Sequence, residues 1–475
     1  VEKDPERAIP ENLRGTLAQD IVQDLISASH PYAPLVVPGL AKATNILTTQ
    51  PEFFFVPDDA AFGIYRKMFR NSVVLLEERD PTPDGTGTKS NAKIINKLFD
   101  DHDDHVDQQA YLRSRLLDNV IGDWDRHFDQ WKWGTADTGK GKLYYPVPRD
   151  RDQAFFNSDG LLLRYLSKNQ LKYLQGFKKG FYNVKWLNWE ARDQDRIFMN
   201  LLNENDWKNI IDTFQRQLTD KVIDSSVKKL PPEVYAIDAT SISDKLKIRR
   251  DVLMTEGIKF YNYLSKAVNI LGSNQQEFFK VQAAGDKVQV IVYKKKTNTD
   301  SSGIMYNRIF DRKITKEIRL YGLNGNDKFE IDENLKSKMK IRMIGGKGND
   351  TFNLKGDIRK YVYDITSNDT SLKVERNFVI KDKKTNVLFS SNPLVNEYKP
   401  IGHSYNRYQL PQINLGYNPE DKLLFGFGFA IKTFRFRKEP YSTYQKFSTL
   451  YAFSHKAYQL KYQGIFNSIL YRKDV

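Results

Sequence analysis

The chain has 475 residues, a formal net charge of +15 and no cysteine, which excludes a disulfide framework and any thiolate metal site. Charged residues at 28% and hydrophobic ones at 40% exclude a disordered chain, and no run of about 18 apolar residues is present to cross a membrane as a helix. The basic balance favours anionic partners such as lipid headgroups or phosphorylated ligands, while the lack of a helix-turn-helix, zinc-finger or RNA-recognition pattern argues against nucleic acid.

The first residue is Val and no apolar leader follows, so the chain is expected to be a mature product or a fragment, with any signal peptide removed. Leu17, Ile21, Val22, Leu25 and Ile26 then make a one-sided helical stripe behind Thr16, a suitable cap. Phe53 to Val56 and Val73 to Leu76 read as short buried strands. Asp80 to Ser90 (DPTPDGTGTKS) is a turn-rich loop. In Asp101-His102-Asp103-Asp104-His105-Val106-Asp107 the two histidines are spaced to share a helix face. With Asp107 and His127 they offer a Zn²⁺ or Mn²⁺ ligand set and the alternative of a metal-dependent phosphohydrolase. The same acidic residues also suit the positive end of a helix dipole.

The densest chemistry follows. A helix over Gln109 to Val120 delivers Gly122-Asp123-Trp124-Asp125-Arg126-His127-Phe128-Asp129-Gln130, and a strand over Leu143 to Val147 delivers Arg149-Asp150-Arg151-Asp152. Phosphoryl transfer needs one carboxylate to take a proton from the attacking hydroxyl and another to hold Mg²⁺. Loops on a rigid scaffold bring such groups to one point.

At these residues the chain resembles the atypical kinase superfamily, which includes the phosphoinositide lipid kinases and the CotH- and HipA-like kinases. Asp125-Arg126-His127 is similar to their D-R-H catalytic loop, and Asp150-x-Asp152 to the metal-binding Asp after the next strand. The resemblance implies Asp125 as base with His127 beside it, Asp150 as principal Mg²⁺ ligand with Asp152 assisting, and ATP as donor. The family's Asn five residues after the base is Gln130 here, preceded by Asp129; these two, with Glu77 at the start of an inter-lobe hinge, are the implied nucleotide-side contacts. No glycine-rich phosphate loop precedes the first helix. Lys3 and Arg14 are the early basic candidates, with Asp20 or Asp24 as their possible partner.

Residues 160 to 272 read as mostly helical, with amphipathic stretches near Trp207 to Leu218 and Val252 to Leu271, as in a larger kinase lobe. From Glu277 the period becomes two. Ile318-Arg-Leu-Tyr-Gly-Leu-Asn-Gly-Asn-Asp-Lys-Phe and Ile341-Arg-Met-Ile-Gly-Gly-Lys-Gly-Asn-Asp-Thr-Phe repeat one pattern, which predicts stacked β-rungs. Their G-x-G-N-D-x-F turns resemble the calcium-binding turns of RTX β-rolls, which would make Asp327 and Asp350 Ca²⁺ ligands. A metal-free Asn-Asp turn is the other reading.

Residues 382 to 410 read as a linker, and 411 to 475 as strands in which Leu423, Phe425, Phe427, Phe429 and Ile431 alternate with small or polar residues. This is the pattern of a transmembrane β-barrel, and also of a half-buried soluble hairpin. NLGYNPEDKLLFGFGFAIKTFRFRKEPYS resembles the opening strands of BamA-type surface-antigen barrels.

Taken together with SASHPYAPLVVP and PRDRDQAF, these segments resemble Bacteroidetes outer-membrane proteins of the metallophosphoesterase and surface-antigen type. The expected fold class is α+β and multidomain: a kinase-like α/β domain (1–272), an all-β rung domain (273–381), the linker (382–410) and the start of an outer-membrane barrel (411–475). The resemblance implies outer-membrane lipids as partners, with the N-terminal domains periplasmic or surface-exposed. It leaves open a non-catalytic accessory role beside other outer-membrane assembly or export proteins.

Overall fold

The computed structural model describes residues 10–11, 14–169, 171–295, 301–365, 378–400 and 406–467; Lys3 lies outside them. The helices are α1 (Leu17–Ala28), α2 (Ala33–Ala43), α3 (Arg66–Phe69), α4 (Asn91–Asp100), α5 (Gln108–Ile121), α6 (Leu161–Asn169), α7 (Val184–Leu187), α8 (Arg192–Phe198), α9 (Glu204–Gln217), α10 (Asp220–Val227), α11 (Pro232–Asp251) and α12 (Leu253–Leu264). The early strands are β1 (Glu52–Val56), β2 (Ser72–Leu76), β3 (Lys89–Ser90), β4 (His105–Val106), β5 (Trp131–Asp137) and β6 (Lys142–Pro148). Together with five sheets among the described residues, they make the chain α+β and multidomain.

Helix α5 is the axis of the helical part. Asp107 Oδ1 caps it by accepting the Ala110 N–H at 2.8 Å, satisfying a donor that the first turn otherwise leaves open. Leu112, Leu116, Leu117, Val120 and Ile121 are fully buried, between β6 and helices α2, α9, α11 and α12. The helix stops at Gly122, whose φ of 75° is open to glycine at little cost. Strands β3, β5, β6 and β4 form one small sheet, in that order, beside it.

Two local expectations change. β1 and β2 pair with each other as a two-stranded ribbon, which can cover only one face. Phe55 is therefore 64% exposed and Leu76 61%, so these strands are not buried. The helix expected to run to Leu271 ends at Leu264; β7 (Ala267–Leu271) follows with Val268 and Ile270 buried at period two.

β7 opens a stack of parallel rungs. One sheet is ordered β17-β15-β13-β11-β7, the other β10-β9-β8-β12-β14-β16. Their members are β8 (Glu277–Ala284), β9 (Lys287–Lys295), β10 (Ser301–Phe310), β11 (Glu317–Asn324), β12 (Lys328–Ile331), β13 (Lys336–Lys347), β14 (Thr351–Leu354), β15 (Asp357–Ile365), β16 (Phe378–Ile380) and β17 (Thr385–Ser390). The repeat seen in the sequence becomes register: Leu320 pairs with Met343 and Phe329 with Phe352. Phe279, Phe329 and Phe352 stack with ring centroids 4.7 and 5.0 Å apart. β17 lies inside the stretch read as a linker, and joins the sheet by parallel pairing with β15.

The helical part and the rungs belong to one compact unit, Val1–Tyr398, and Lys399–Val475 forms a second. Within the first, Asn274 N–H donates to the Phe99 carbonyl at 2.6 Å and Tyr306 Oη donates to the Asn200 carbonyl at 2.9 Å.

The second unit is an antiparallel sheet of β18 (Arg407–Asn418), β19 (Lys422–Thr433), β20 (Thr443–Ala452) and β21 (Ala457–Phe466), in that order. Directly paired residues share a face. The pairs Ile413 with Phe427, Tyr417 with Leu423, and Phe447 with Tyr462 put aromatic and aliphatic side chains on one side. Asn414 with Gly426 and Ser448 with Lys461 put small and polar ones on the other.

The Phe ladder should carry much of the rung stability. Phe329→Ala removes its middle ring and is expected to cost about 3–5 kcal/mol, read as a lower urea midpoint; a cost below about 1 kcal/mol would mean that the stack relaxes around the hole.

Candidate functional site

The loop after α5 and the loop after β6 meet behind a cleft. Their junction is Asp118, on α5 and 0% exposed. Arg115 Nη1, Arg151 Nε and Arg126 Nε reach its carboxylate at 2.8, 3.0 and 3.2 Å. Burial alone would raise this carboxyl; Arg126, Arg151 and Arg115 outweigh it and hold it below the usual range. Arg126 reaches further. Its Nη1 donates to the carbonyls of Arg149 at 2.7 Å and Asp150 at 2.9 Å. This pins Asp150 with a φ of 48°, a left-handed conformation that an L side chain seldom adopts.

The loop after α5 is held from its other side as well. Gln194 Nε2 donates to the Arg126 carbonyl at 2.7 Å, and Asn91 Nδ2 to the Phe128 carbonyl at 2.6 Å. Asp123 Oδ1 accepts the Asp125 N–H at 3.1 Å. Burial pushes the Asp123 carboxyl up to about 8, Arg126 opposes the rise, and Asp118, Asp125 and Asp152 add to it.

The cleft in front has a volume of about 450 Å³. Pro34, Val37, Pro51 and Leu75 give it an apolar lining; Glu77, Asp129, Gln130, Asp150 and Asp152 line it too. Five residues expected from separate stretches of sequence thus share one cleft. Glu77 accepts from Thr49 Oγ1 at 3.0 Å and pairs with Arg149 at 3.5 Å. Gln130 Nε2 donates to Asp150 Oδ2 at 3.2 Å and lies 3.2 Å from His127 Nε2. Its amide nitrogen therefore faces the carboxylate.

Asp125 and His127 are not among the residues lining the cleft, yet they share its field. Burial raises the Asp125 carboxyl, His127 opposes the rise, and Asp152 and Asp150 reinforce it. Glu190, which the sequence reading missed, is raised by burial and by Asp125. This oxygen-rich donor set suits a hard cation. Among the described residues, a trio with ligand atoms within 4.8 Å of one another occurs at Asp101–His102–Asp103 and not among these carboxylates.

Lys132 was also missed. It lines the cleft between the buried Trp131 and Trp133 of β5, and the period-two alternation that turns it to the other side was legible in the sequence. The cleft's other basic residues are committed, Arg149 to Glu77 and Arg151 to Asp118. Arg14 is far along the chain from these groups and pairs with Glu11 at 3.6 Å.

The histidine set expected for a hydrolase does not form a helix face. His102 lies in a turn and His105 in β4, Asp107 caps α5, and His127 belongs with Gln130. The 101–103 trio is internally satisfied: His102 Nδ1 faces Glu277 Oε1 at 3.3 Å, Asp101 Oδ1 accepts the Asp103 N–H at 2.9 Å, and Lys294 pairs with Asp103. Asp327 and Asp350 lie in the rung interior. Their Oδ1 atoms accept the N–H groups of Glu277 at 2.7 Å and Asp327 at 2.8 Å, bonds to neighbouring rungs.

No protein-family model matches the chain, and no curated protein matches it. Among solved structures, the proinflammatory kinase CtkA of Helicobacter pylori is similar over 49% of this chain and 88% of its own, with 14% sequence identity and a TM-score of 0.28. A likeness of that size says nothing of activity.

The two buried acids should respond oppositely to an amide. Asp118→Asn removes the buried charge shared by Arg126, Arg151 and Arg115, of which Arg115 keeps Asp195 at 2.9 Å, and should cost about 3–5 kcal/mol. Asp123→Asn should be nearly neutral at pH 7, because the folded carboxyl keeps its proton up to about 8. That retained proton stabilises the fold below the usual carboxylate range, and the contribution is lost as pH rises through about 8. Asp123→Asn should therefore overtake the wild type in melting temperature at pH 9; equal losses from both substitutions would contradict the assignment.

Proposed function

We propose that the cleft is the Mg-ATP site of a kinase-like phosphoryl-transfer domain, on an envelope protein held in the outer membrane by its C-terminal sheet. One observation carries the first half: Glu77, Asp129, Gln130, Asp150 and Asp152 line a single cleft of about 450 Å³, a volume in the range of small-ligand sites. Asp150 and Asp152 would hold the metal, and bound Mg²⁺ would neutralise phosphate oxygens. Lys132 supplies a cation toward the phosphates, and Pro34, Val37 and Leu75 an apolar surface for the base. Asp125 would take the proton of the acceptor hydroxyl as its oxygen attacks the γ-phosphorus, the bond from that phosphorus to the bridging oxygen breaks and ADP leaves. The raised affinity of its carboxylate for protons suits that role.

A second reading is a non-catalytic accessory of an outer-membrane assembly or export complex. The orientation of Gln130 favours it, because an amide nitrogen directed at Asp150 cannot serve as a metal ligand.

Nucleotide titration separates the two. The phosphotransfer reading expects Mg²⁺-dependent ATP binding that Asp150→Ala abolishes and Lys132→Ala weakens about tenfold or more, the scale of a lost charge-assisted contact. Asp125→Ala should bind ATP and transfer no phosphate. No binding by the wild type sinks this reading and leaves the accessory one.

The membrane half is supported by the two faces of β18 to β21. Leu415, Leu460 and Tyr458 are 71%, 72% and 78% exposed on the aromatic face. A patch of that kind is costly in water and suited to lipid. The chain should sediment with outer membranes and, within its full-length protein, show heat-modifiable gel migration. Recovery in the soluble fraction without such migration would refute the anchor.

A further inference from the structure

The ribbon of β1 and β2 ends in a tip that buries nothing of its own. The base of the ribbon is held: Phe53 packs edge-on against Tyr32, with ring centroids 5.6 Å apart, and Glu77, just past β2, pairs with Arg149. Between the strands lie two short helical segments, Ala60–Tyr65 and α3, and neither has a buried residue. Asp59 caps the first by accepting the Ala61 N–H at 2.8 Å. Gly63, with a φ of 49°, kinks it, a conformation open to glycine at little cost. Past the kink, Ile64, Tyr65 and Met68 are 88%, 57% and 63% exposed. Next to the tip, the directly paired Phe55 and Val73 add exposed apolar surface on one face of the ribbon.

Single exposed apolar side chains are ordinary, but several gathered on one projection mark a contact surface. The residues set among them indicate what it meets. Arg66, Lys67 and Arg70 alternate along the chain with Tyr65 and Met68. Arg66 pairs with Asp58 at 2.5 Å and still leaves 46% of its side chain exposed; Arg70 stands 3.9 Å from the same carboxylate. Lys67 has no acidic partner among the described residues. From 57 to 71 every residue except Phe69 is exposed, so the tip offers no hollow into which a partner's side chain could be buried. A convex tip with cations among apolar groups suits the boundary between lipid headgroups and acyl chains. There the apolar side chains leave water, a Tyr ring sits at the interface, and Lys and Arg stems stretch toward phosphates.

We propose that this tip is a lipid-docking element: Ile64, Tyr65 and Met68 enter the interface of an anionic lipid leaflet, while Arg66, Lys67 and Arg70 lie against its headgroup phosphates. The net charge of +15 draws the chain as a whole toward the same surface. A few inserted side chains with a small basic cluster make a reversible contact rather than a permanent anchor. The element belongs to the first compact unit and is remote in sequence from β18 to β21. The inference is independent of the phosphoryl-transfer reading and of the C-terminal anchor.

The chain has no cysteine, so Ile64→Cys in the full chain accepts a single environment-sensitive fluorophore at the tip. Vesicles of mixed phosphatidylglycerol and phosphatidylcholine should shift its emission to the blue, and lipids brominated on the acyl chain should quench it. Vesicles of phosphatidylcholine alone should give a much smaller shift. Adding Lys67→Glu with Arg70→Glu should weaken the vesicle affinity read by this label at least about tenfold, and adding Met68→Asp should remove most of the shift. All three positions are outside the buried core, so the melting temperature of these variants should match that of the labelled parent, which separates lost docking from lost folding. No blue shift at saturating lipid overturns the proposal, even if the chain sediments with the vesicles, because lipid would then be held elsewhere. So does an equal shift with neutral vesicles. So does a shift that grows with protein concentration in the absence of lipid, since a second copy of the chain would then cover the tip.

Discussion

Three arginines close on the buried carboxylate of Asp118, and the geometry of the cleft follows from that contact. Arg115 belongs to α5, Arg126 to the loop that leaves it, and Arg151 to the loop after β6, so one anion ties together segments far apart in the chain. A fully buried charge survives only when it is closely paired. Its pairing here fixes where the two loops sit. Arg126 extends the constraint forward to the carbonyls of Arg149 and Asp150. The unusual backbone of Asp150 is a consequence of what stands behind it. The acids in front, Asp125, Asp150, Asp152 and Glu190, crowd one another at the edge of this cationic block, which leaves them a negative field that a cation would relieve.

The protein buries carboxyl groups in two contrasting ways. In the helical part, Asp118 is kept ionised by guanidinium groups. In the rungs, Asp327 and Asp350 are buried with like-charged neighbours, and their Oδ1 atoms accept backbone N–H groups of the neighbouring rung. His102, just past the end of α4, faces Glu277 at 3.3 Å and so touches the rung acids from the helical part.

Much of this was legible in the sequence because it is local. The helix expected over Gln109 to Val120 is α5, the amphipathic stretch near Trp207 to Leu218 is α9, and the two matching Gly-Asn-Asp segments marked the stacked rungs that β11 and β13 form. The loop residues Asp129, Gln130, Asp150 and Asp152 could be grouped because they follow one helix and the next strand closely in the chain, and they line one cleft. What the sequence hid depends on contacts between distant segments. Asp118 looks like any polar position on a helix until Arg126 and Arg151 fold over it. Glu277 gives no sign that its N–H reaches Asp327 Oδ1 in the neighbouring rung. The stretch 382–410 looks like a linker by composition, yet Thr385–Ser390 finds a parallel partner in β15. The histidines at 102 and 105 suggested a helix face because their spacing fits one, but β4 makes the segment extended.

The central claim is that the loop bearing Asp125 and the loop bearing Asp150 serve one cation-and-nucleotide site. A crystal structure of the full chain with Mn²⁺ and a non-hydrolysable ATP analogue, phased to show the anomalous signal of the metal, tests it most directly. The account predicts a manganese peak bound by Asp150 or Asp152, with the nucleotide in the cleft lined by Lys132 and Leu75. A peak elsewhere, or a cleft empty at saturating nucleotide, would contradict it.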